Sequence, residues 1–178
     1  LAMEIWGAHM VCQADIPIDV RIGIMLSVGY ASGAVGITTA HELGHKKSAF
    51  ERTLSKILLT SVSYGHFYIE HNRGHHVRVG TPEDAATARR DESVYAFLVR
   101  AVIGTYAHAW TLELARLKQF GYARFGWRNQ MLWFTGLPLA IAIMLGTGFG
   151  WPAAAYFFGQ SMVAFTLLEL VDYIEHYV

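Results

Sequence analysis

The chain has 178 residues, is 53% hydrophobic, and balances 14 lysines and arginines against 14 aspartates and glutamates. Its positive mean hydropathy argues against an ordinary soluble domain, and the balanced charge offers no basic excess for nucleic acid. A single cysteine, Cys12, excludes a disulfide framework and a CxxC metal site, which leaves histidine and carboxylate to hold any metal.

The first long element is the uncharged run from Ile22 to Ala40. A helix needs about 20 apolar residues to cross a hydrocarbon core of roughly 30 Å, so a span over about 20–40 is predicted. Its small residues Gly29, Ser32, Gly33 and Gly36 serve either plain helix packing or, with Pro138, the shaping of an apolar channel. The run ends in HELGHK, residues 41–46. His41 and His45 are four apart, on one helical face, where both imidazoles can grip one metal. HELGH also satisfies the HExxH pattern of zinc hydrolases, with Glu42 as general base.

The segment from Thr53 to Ile69 is apolar only after Lys56 and is short for a crossing. A straight helix from His45 to His71 would separate the two by about 39 Å at 1.5 Å per residue. If they share a site, this segment is interfacial or re-entrant. The stretch EHNRGHH, residues 70–76, repeats the four-residue spacing in His71 and His75, but a regular helix would turn His76 about 140° away from His71. Gly74 can let the backbone deform, so that His75 and His76 face different ions; two metals are more natural here than one. Glu70 and, one turn earlier, His66 are placed to be outer partners of the ligands.

Thr81-Pro82-Glu83-Asp84 reads as an N-cap, a first-turn proline and first-turn acids, which predicts a short polar helix over 82–90. The apolar stretch Val94 to Leu114, interrupted by Arg100, His108 and Glu113, fits an interfacial helix better than a span. Residues 53–114 are thus expected to hold re-entrant or interfacial helices and a polar cytoplasmic segment. His9 and His108 read as ordinary hydrogen-bonded helix-end residues.

The uncharged interval from Asn129 to Leu168, punctuated by a Gly146 to Pro152 turn, predicts a transmembrane hairpin of about 131–149 and 153–171. Lys46, Lys47, Arg52 and Lys56 follow the first span, and Arg116, Lys118, Arg124 and Arg128 precede the hairpin, which puts those ends in the cytoplasm. The return helix then brings DYIEHY, residues 172–177, to the same face, adding His176 with Glu175 beside it. The expected fold is an all-α integral membrane bundle, one domain over 1–178, with a histidine-cluster metal site at its cytoplasmic side. Two i, i+4 histidine pairs near membrane depth are costly unless functional. Spacing does not name the metal, since neutral imidazole suits iron, zinc, copper and nickel.

Taken together, HELGHK, the longer run GHFYIEHNRGHHVRVGTPEDAATAR at 65–89, and DYIEHY closely resemble the membrane-bound alkane hydroxylases, within the wider membrane desaturase and hydroxylase superfamily. The resemblance covers essentially the whole chain, and the flanking EHNRG and TPED text distinguishes it from generic desaturase HxxHH boxes. It implies a bacterial inner-membrane enzyme that uses O2 to turn the terminal methyl of an alkane into a primary alcohol. It further implies two non-haem iron ions, with His41, His45, His71, His75, His76 and His176 as ligands. Electrons would come from rubredoxin, reduced by a reductase that uses NAD(P)H. The chain departs from the family in having Asp172 for asparagine and Val178 for glycine, and a further HxxHH box expected downstream is not within it. With its Leu1 start, it is expected to be part of a longer protein and inactive alone.

Three other readings compete. A membrane zinc metalloprotease would use His41, Glu42 and His45 but leaves the other histidines idle. An acyl-lipid desaturase shares the iron and yields an alkene. A histidine-rich metal transporter would hold its site nearer the bilayer midplane, whereas these histidines lie at helix ends.

Overall fold

The computed structural model describes residues 1–177; Val178, where the family's glycine is replaced, lies outside them. Among the described residues the chain is helical, and its one isolated β-bridge pairs Ala88 with Tyr177. A short α1 (Ala2–Met10) leads into α2 (Ile18–Gly44), which carries a π-helical stretch at Ser32–Ile37. Then come α3 (Ala49–Ser61), α4 (67–78), α5 (Val94–Gln119), α6 (Gln130–Phe149) and α7 (Trp151–Glu175).

Among the described residues three helices, α2, α6 and α7, are long and apolar enough to cross a membrane. Only 17% of the apolar window of α6 is buried inside the fold, and Leu139, Ile143 and Met144 stand exposed on it. Large apolar side chains turned outward along a helix of this length need hydrocarbon rather than water around them. The molecule is a multi-pass membrane protein. α6 and α7 form a helical hairpin, with Gly150 at φ 115° supplying the left-handed turn and Pro152 in the first turn of α7.

α7 is the central helix, packing along both α2 and α6. A Cβ added at Gly29 would sit 2.6 Å from Val163 Cβ and 2.7 Å from the Gln160 carbonyl oxygen, and one at Gly33 would meet the Ala164 carbonyl at 2.8 Å. These two glycines are therefore helix-packing residues, in the small-xxx-small manner that lets membrane helices approach closely. Gly36 meets nothing nearer than Ser32 Cβ at 4.0 Å.

No straight helix joins the first two histidine motifs. The chain leaves α2 at His45, turns through 46–48 into α3, and turns again through 62–66 before α4. That double reversal returns α4 to the end of α2. α5 runs 26 residues but is not among the helices apolar enough to cross.

The predicted helix over 82–90 does not form. The segment 79–93 is a series of turns, with Thr81 Oγ1 donating back to the Arg78 carbonyl at 2.7 Å instead of capping forward. Tertiary partners decide this: Arg100 of α5 donates to the Ala85 and Thr87 carbonyls at 3.0 and 2.9 Å, and backbone committed there is unavailable to a helix. Ala88 N–H donates to the His176 carbonyl at 3.0 Å, and Tyr173 Oη donates to the Glu92 carbonyl at 2.7 Å. The polar segment is thereby strapped over the end of α7.

Candidate metal centre

α2 and α7 end on the same side, and α4 folds back between them. One nitrogen each from His41, His45, His71 and His76 lies within 4.8 Å of the others, a spread that one ion can bridge. His45 Nε2 faces His41 Nε2 at 3.2 Å and His76 Nε2 at 3.4 Å. Bare lone pairs at such separations repel unless a proton or a cation sits between them. His71 is buried, and its Nε2 has no hydrogen-bond partner. Burial, and then the neighbouring histidines, push its pKa down to about 2, so the ring is neutral at neutral pH and keeps one nitrogen lone pair to offer a metal. A buried, unprotonated imidazole aimed at three others is the donor set that a divalent transition metal requires.

The 140° offset expected between His71 and His76 is removed by a π turn over His71–His75. His76 N–H donates to the His71 carbonyl, an i→i+5 bond, and the ring centroids of His71 and His76 come within 4.4 Å. Gly74 is needed there for space: an added Cβ would lie 2.5 Å from Glu70 Oε1 and 2.7 Å from His108 Cε1.

His75 faces another way. Its Nδ1 lies 2.9 Å from Asp84 Oδ2, and that oxygen also accepts from Thr87 Oγ1 at 2.6 Å, while Asp84 Oδ1 accepts from Ala86 N–H at 3.2 Å. A carboxylate so placed fixes the Nδ1–H tautomer and leaves Nε2 to ligate. Burial alone would lower the His75 pKa, but Asp84 outweighs it and raises the value; the same bonds hold Asp84 low against its own burial. The His75 ring stands 4.7 Å from that of His176, and His176 groups with Asp172 and Glu175 within 4.8 Å. Two adjacent clusters therefore share one cavity of about 400 Å³, whose apolar walls include Ile37, Phe67, Leu168 and Val171.

Other expected residues take different places. Glu42 is exposed, 3.6 Å from His41 Nδ1. Glu70 is buried and accepts from His108 Nδ1 at 3.0 Å, contacting neither cluster; His108, in the middle of α5, also bonds Arg78. His66 stacks edge-on against Tyr64 and Tyr106 and joins neither histidine group. Asp84, which the sequence presents only as an acid in a first turn, is the residue most directly bonded to an expected ligand, and Asp172 enters the second cluster.

Residues 20–178 match the model of the family described as fatty acid desaturase. The chain is 50% identical over 157 residues to alkane 1-monooxygenase 1 of Pseudomonas aeruginosa, covering 88% of this chain and 41% of that protein. It is 45% identical over 157 residues to alkane 1-monooxygenase 2 of the same organism, covering 88% and 42%. Against alkane 1-monooxygenase 2 of Alcanivorax borkumensis it is 35% identical over 177 residues, covering 99% and 46%. It thus spans less than half the length of the curated relatives it matches. A family match over nearly all of the chain, joined to histidines gathered from three of its segments, establishes that the chain belongs to the fatty acid desaturase family.

Proposed function

We propose that the chain is part of a non-haem di-iron monooxygenase that converts the terminal methyl of an alkane to a primary alcohol, using O2 and electrons passed from NAD(P)H through a reductase and rubredoxin. The observation that carries this reading is the gathering of six histidines into two adjacent groups, five of them (all but His45) lining one partly apolar cavity, in a chain whose matched relatives are named alkane 1-monooxygenases.

His41, His45, His71 and His76 would hold one ion, and His75 with His176, Asp172 and Glu175 the other. The bound metal supplies the activation of O2 and the oxidising power that a C–H bond demands. The side chains do the rest. Asp84 Oδ2 keeps the proton on His75 Nδ1, so that the ligating nitrogen stays unprotonated. Ile37, Phe67, Leu168 and Val171 exclude water and orient an alkane by shape alone, since it offers no hydrogen-bonding handle. The basic residues flanking α2 and α6 orient this face toward the cytoplasm of the inner membrane, where a soluble electron carrier can reach it.

The test uses the complete reading frame that carries this chain, expressed in bacterial membranes with rubredoxin, its reductase, NADH, an alkane and 18O2. The expected result is a 1-alkanol with one labelled oxygen, and iron as the bound metal. Zinc in place of iron would overturn it in favour of a protease. The family description also supports an acyl-lipid desaturase; an alkene formed in added acyl lipid, with the alkane untouched, would establish that reading instead.

A further inference from the structure

Away from the histidines, α3 and α6, with Leu1 beside them, border an open groove of about 440 Å³ that is apolar along α6 and carries Thr53, Lys56, Thr60 and Ser61 along α3. Ile57 lines it from α3, and Trp133, Leu137 and Ile141 from α6. Along α6 the groove follows one helical face from Gln130 to Ile141, about 16 Å at 1.5 Å per residue, from the interface toward the hydrocarbon depth of a spanning helix. Its mouth is polar: Lys56 Nζ donates to Gln130 Oε1 at 2.7 Å and lies 4.6 Å over the Tyr68 ring. Exposed Trp127 and Trp133 stand near this end of α6, the side-chain type that marks the headgroup level.

The charge at this mouth is unbalanced. Glu113 is buried and fully engaged, receiving Arg116 at 2.6 Å, Arg73 at 3.5 Å and the Gln130 backbone N–H at 2.8 Å. Among the described residues Lys56 has no carboxylate partner, and the Arg52 guanidinium reaches only the Lys46 and Lys47 carbonyls. Cations thus outnumber anions around a half-buried ammonium at the head of an apolar slot. Burial, then Arg73 and Arg52, lower the Lys56 pKa, a penalty that an anion would relieve.

We infer that this groove binds an anionic phospholipid, with the phosphate on Lys56, Arg52 and Arg73 and one acyl chain lying between α3 and α6. A free anion would leave the slot unfilled, an alkane would leave the cations unanswered, and a zwitterionic lipid would bring its own positive charge to them. Only an anionic amphipath answers both halves of the site. The inference is independent of the reaction proposed above, since no histidine lines the groove.

Native mass spectrometry of the detergent-solubilised protein, in its complete reading frame, tests this after equilibration with equal phosphatidylglycerol and phosphatidylcholine. The wild type is expected to retain one phosphatidylglycerol in preference. Lys56→Gln should weaken that preference about fivefold, the worth of one basic residue near an anionic lipid surface, and Lys56→Arg should preserve it. Leu137→Trp, which fills the slot and leaves the charges in place, should lose the retained lipid. Circular dichroism and melting temperature report folding; if Lys56→Gln does not fold, Leu137→Trp against the wild type decides. Equal retention of both lipids by the wild type, unchanged preference in Lys56→Gln, or lipid retained by Leu137→Trp would each overturn the inference. So would displacement of the lipid by inorganic phosphate alone, which would reduce the mouth to a simple anion site.

Discussion

Replacing Asp84 tests whether a ligand is held in place by a residue outside the metal-binding set. Asp84 is 2% exposed and receives three hydrogen bonds, from His75 Nδ1, Thr87 Oγ1 and Ala86 N–H. Asp84→Ala leaves three donors without their acceptor in a buried place, and a stranded buried donor costs about 1–3 kcal/mol. Part of this falls on the strap over 79–93 and part on His75, whose ring is then free to turn or to protonate Nε2 instead. Loss of such an outer partner typically weakens metal binding by about 10–100-fold. Asp84→Asn keeps an acceptor but loses the charge, and should fall between the wild type and Asp84→Ala. The assay is metal affinity by chelator competition on the complete protein, with melting temperature measured in parallel. Affinity within twofold of wild type in Asp84→Ala, with the fold intact, would refute the assignment of Asp84 as the residue that orients His75.

Three further outcomes are expected. Gly29→Ala drives a methyl into Val163 and the Gln160 carbonyl and should destabilise by about 1–3 kcal/mol, whereas Gly36→Ala, with only Ser32 Cβ at 4.0 Å, should melt as the wild type does; equal melting temperatures for the two variants would contradict the packing role. Arg100 bonds hold the Glu92 carboxyl well below its ordinary value of 4.5, at about 2. A depressed folded-state value gives stability that is full above pH 4.5, declines as pH falls, and is gone below about 2; the melting-temperature gap between wild type and Glu92→Gln should therefore narrow from pH 6 toward pH 3, and a constant gap would count against it. His71→Leu removes the unpartnered buried Nε2, so the metal-free protein should melt no lower than wild type while bound metal per chain falls; a lower melting point joined to normal metal content would show that His71 is structural.

Much of the architecture is legible in the sequence because bilayer thickness translates directly into run length. The spans at Ile18–Gly44, Gln130–Phe149 and Trp151–Glu175 follow from uncharged intervals, and the turn between the last two follows from Gly150 and Pro152. The histidines were legible as candidates because imidazole in pairs is rare in greasy sequence. Long-range partners were not. Asp84 carries the local signature of a helix start, and only Arg100, His176 and Tyr173, from distant parts of the chain, hold its segment as turns. His108 looks isolated in sequence because its partner Glu70 is 38 residues away. The facing of His71 and His76 was hidden for a different reason, since an angle computed from a regular helix cannot anticipate a change in helix type.

That change of type has a meaning in terms of residue counting. In an ordinary α-helix, histidines at i, i+3 and i+4 flank the first one at about −60° and +40°. The run His71-Asn72-Arg73-Gly74-His75-His76 has one residue more than that spacing, and the π turn absorbs it, setting His75 and His76 5.3 and 4.4 Å from the His71 ring. Compared with an HxxHH spacing, the motif carries one residue more between its first histidine and the pair, and one wide turn takes up that residue and brings His76 back beside His71.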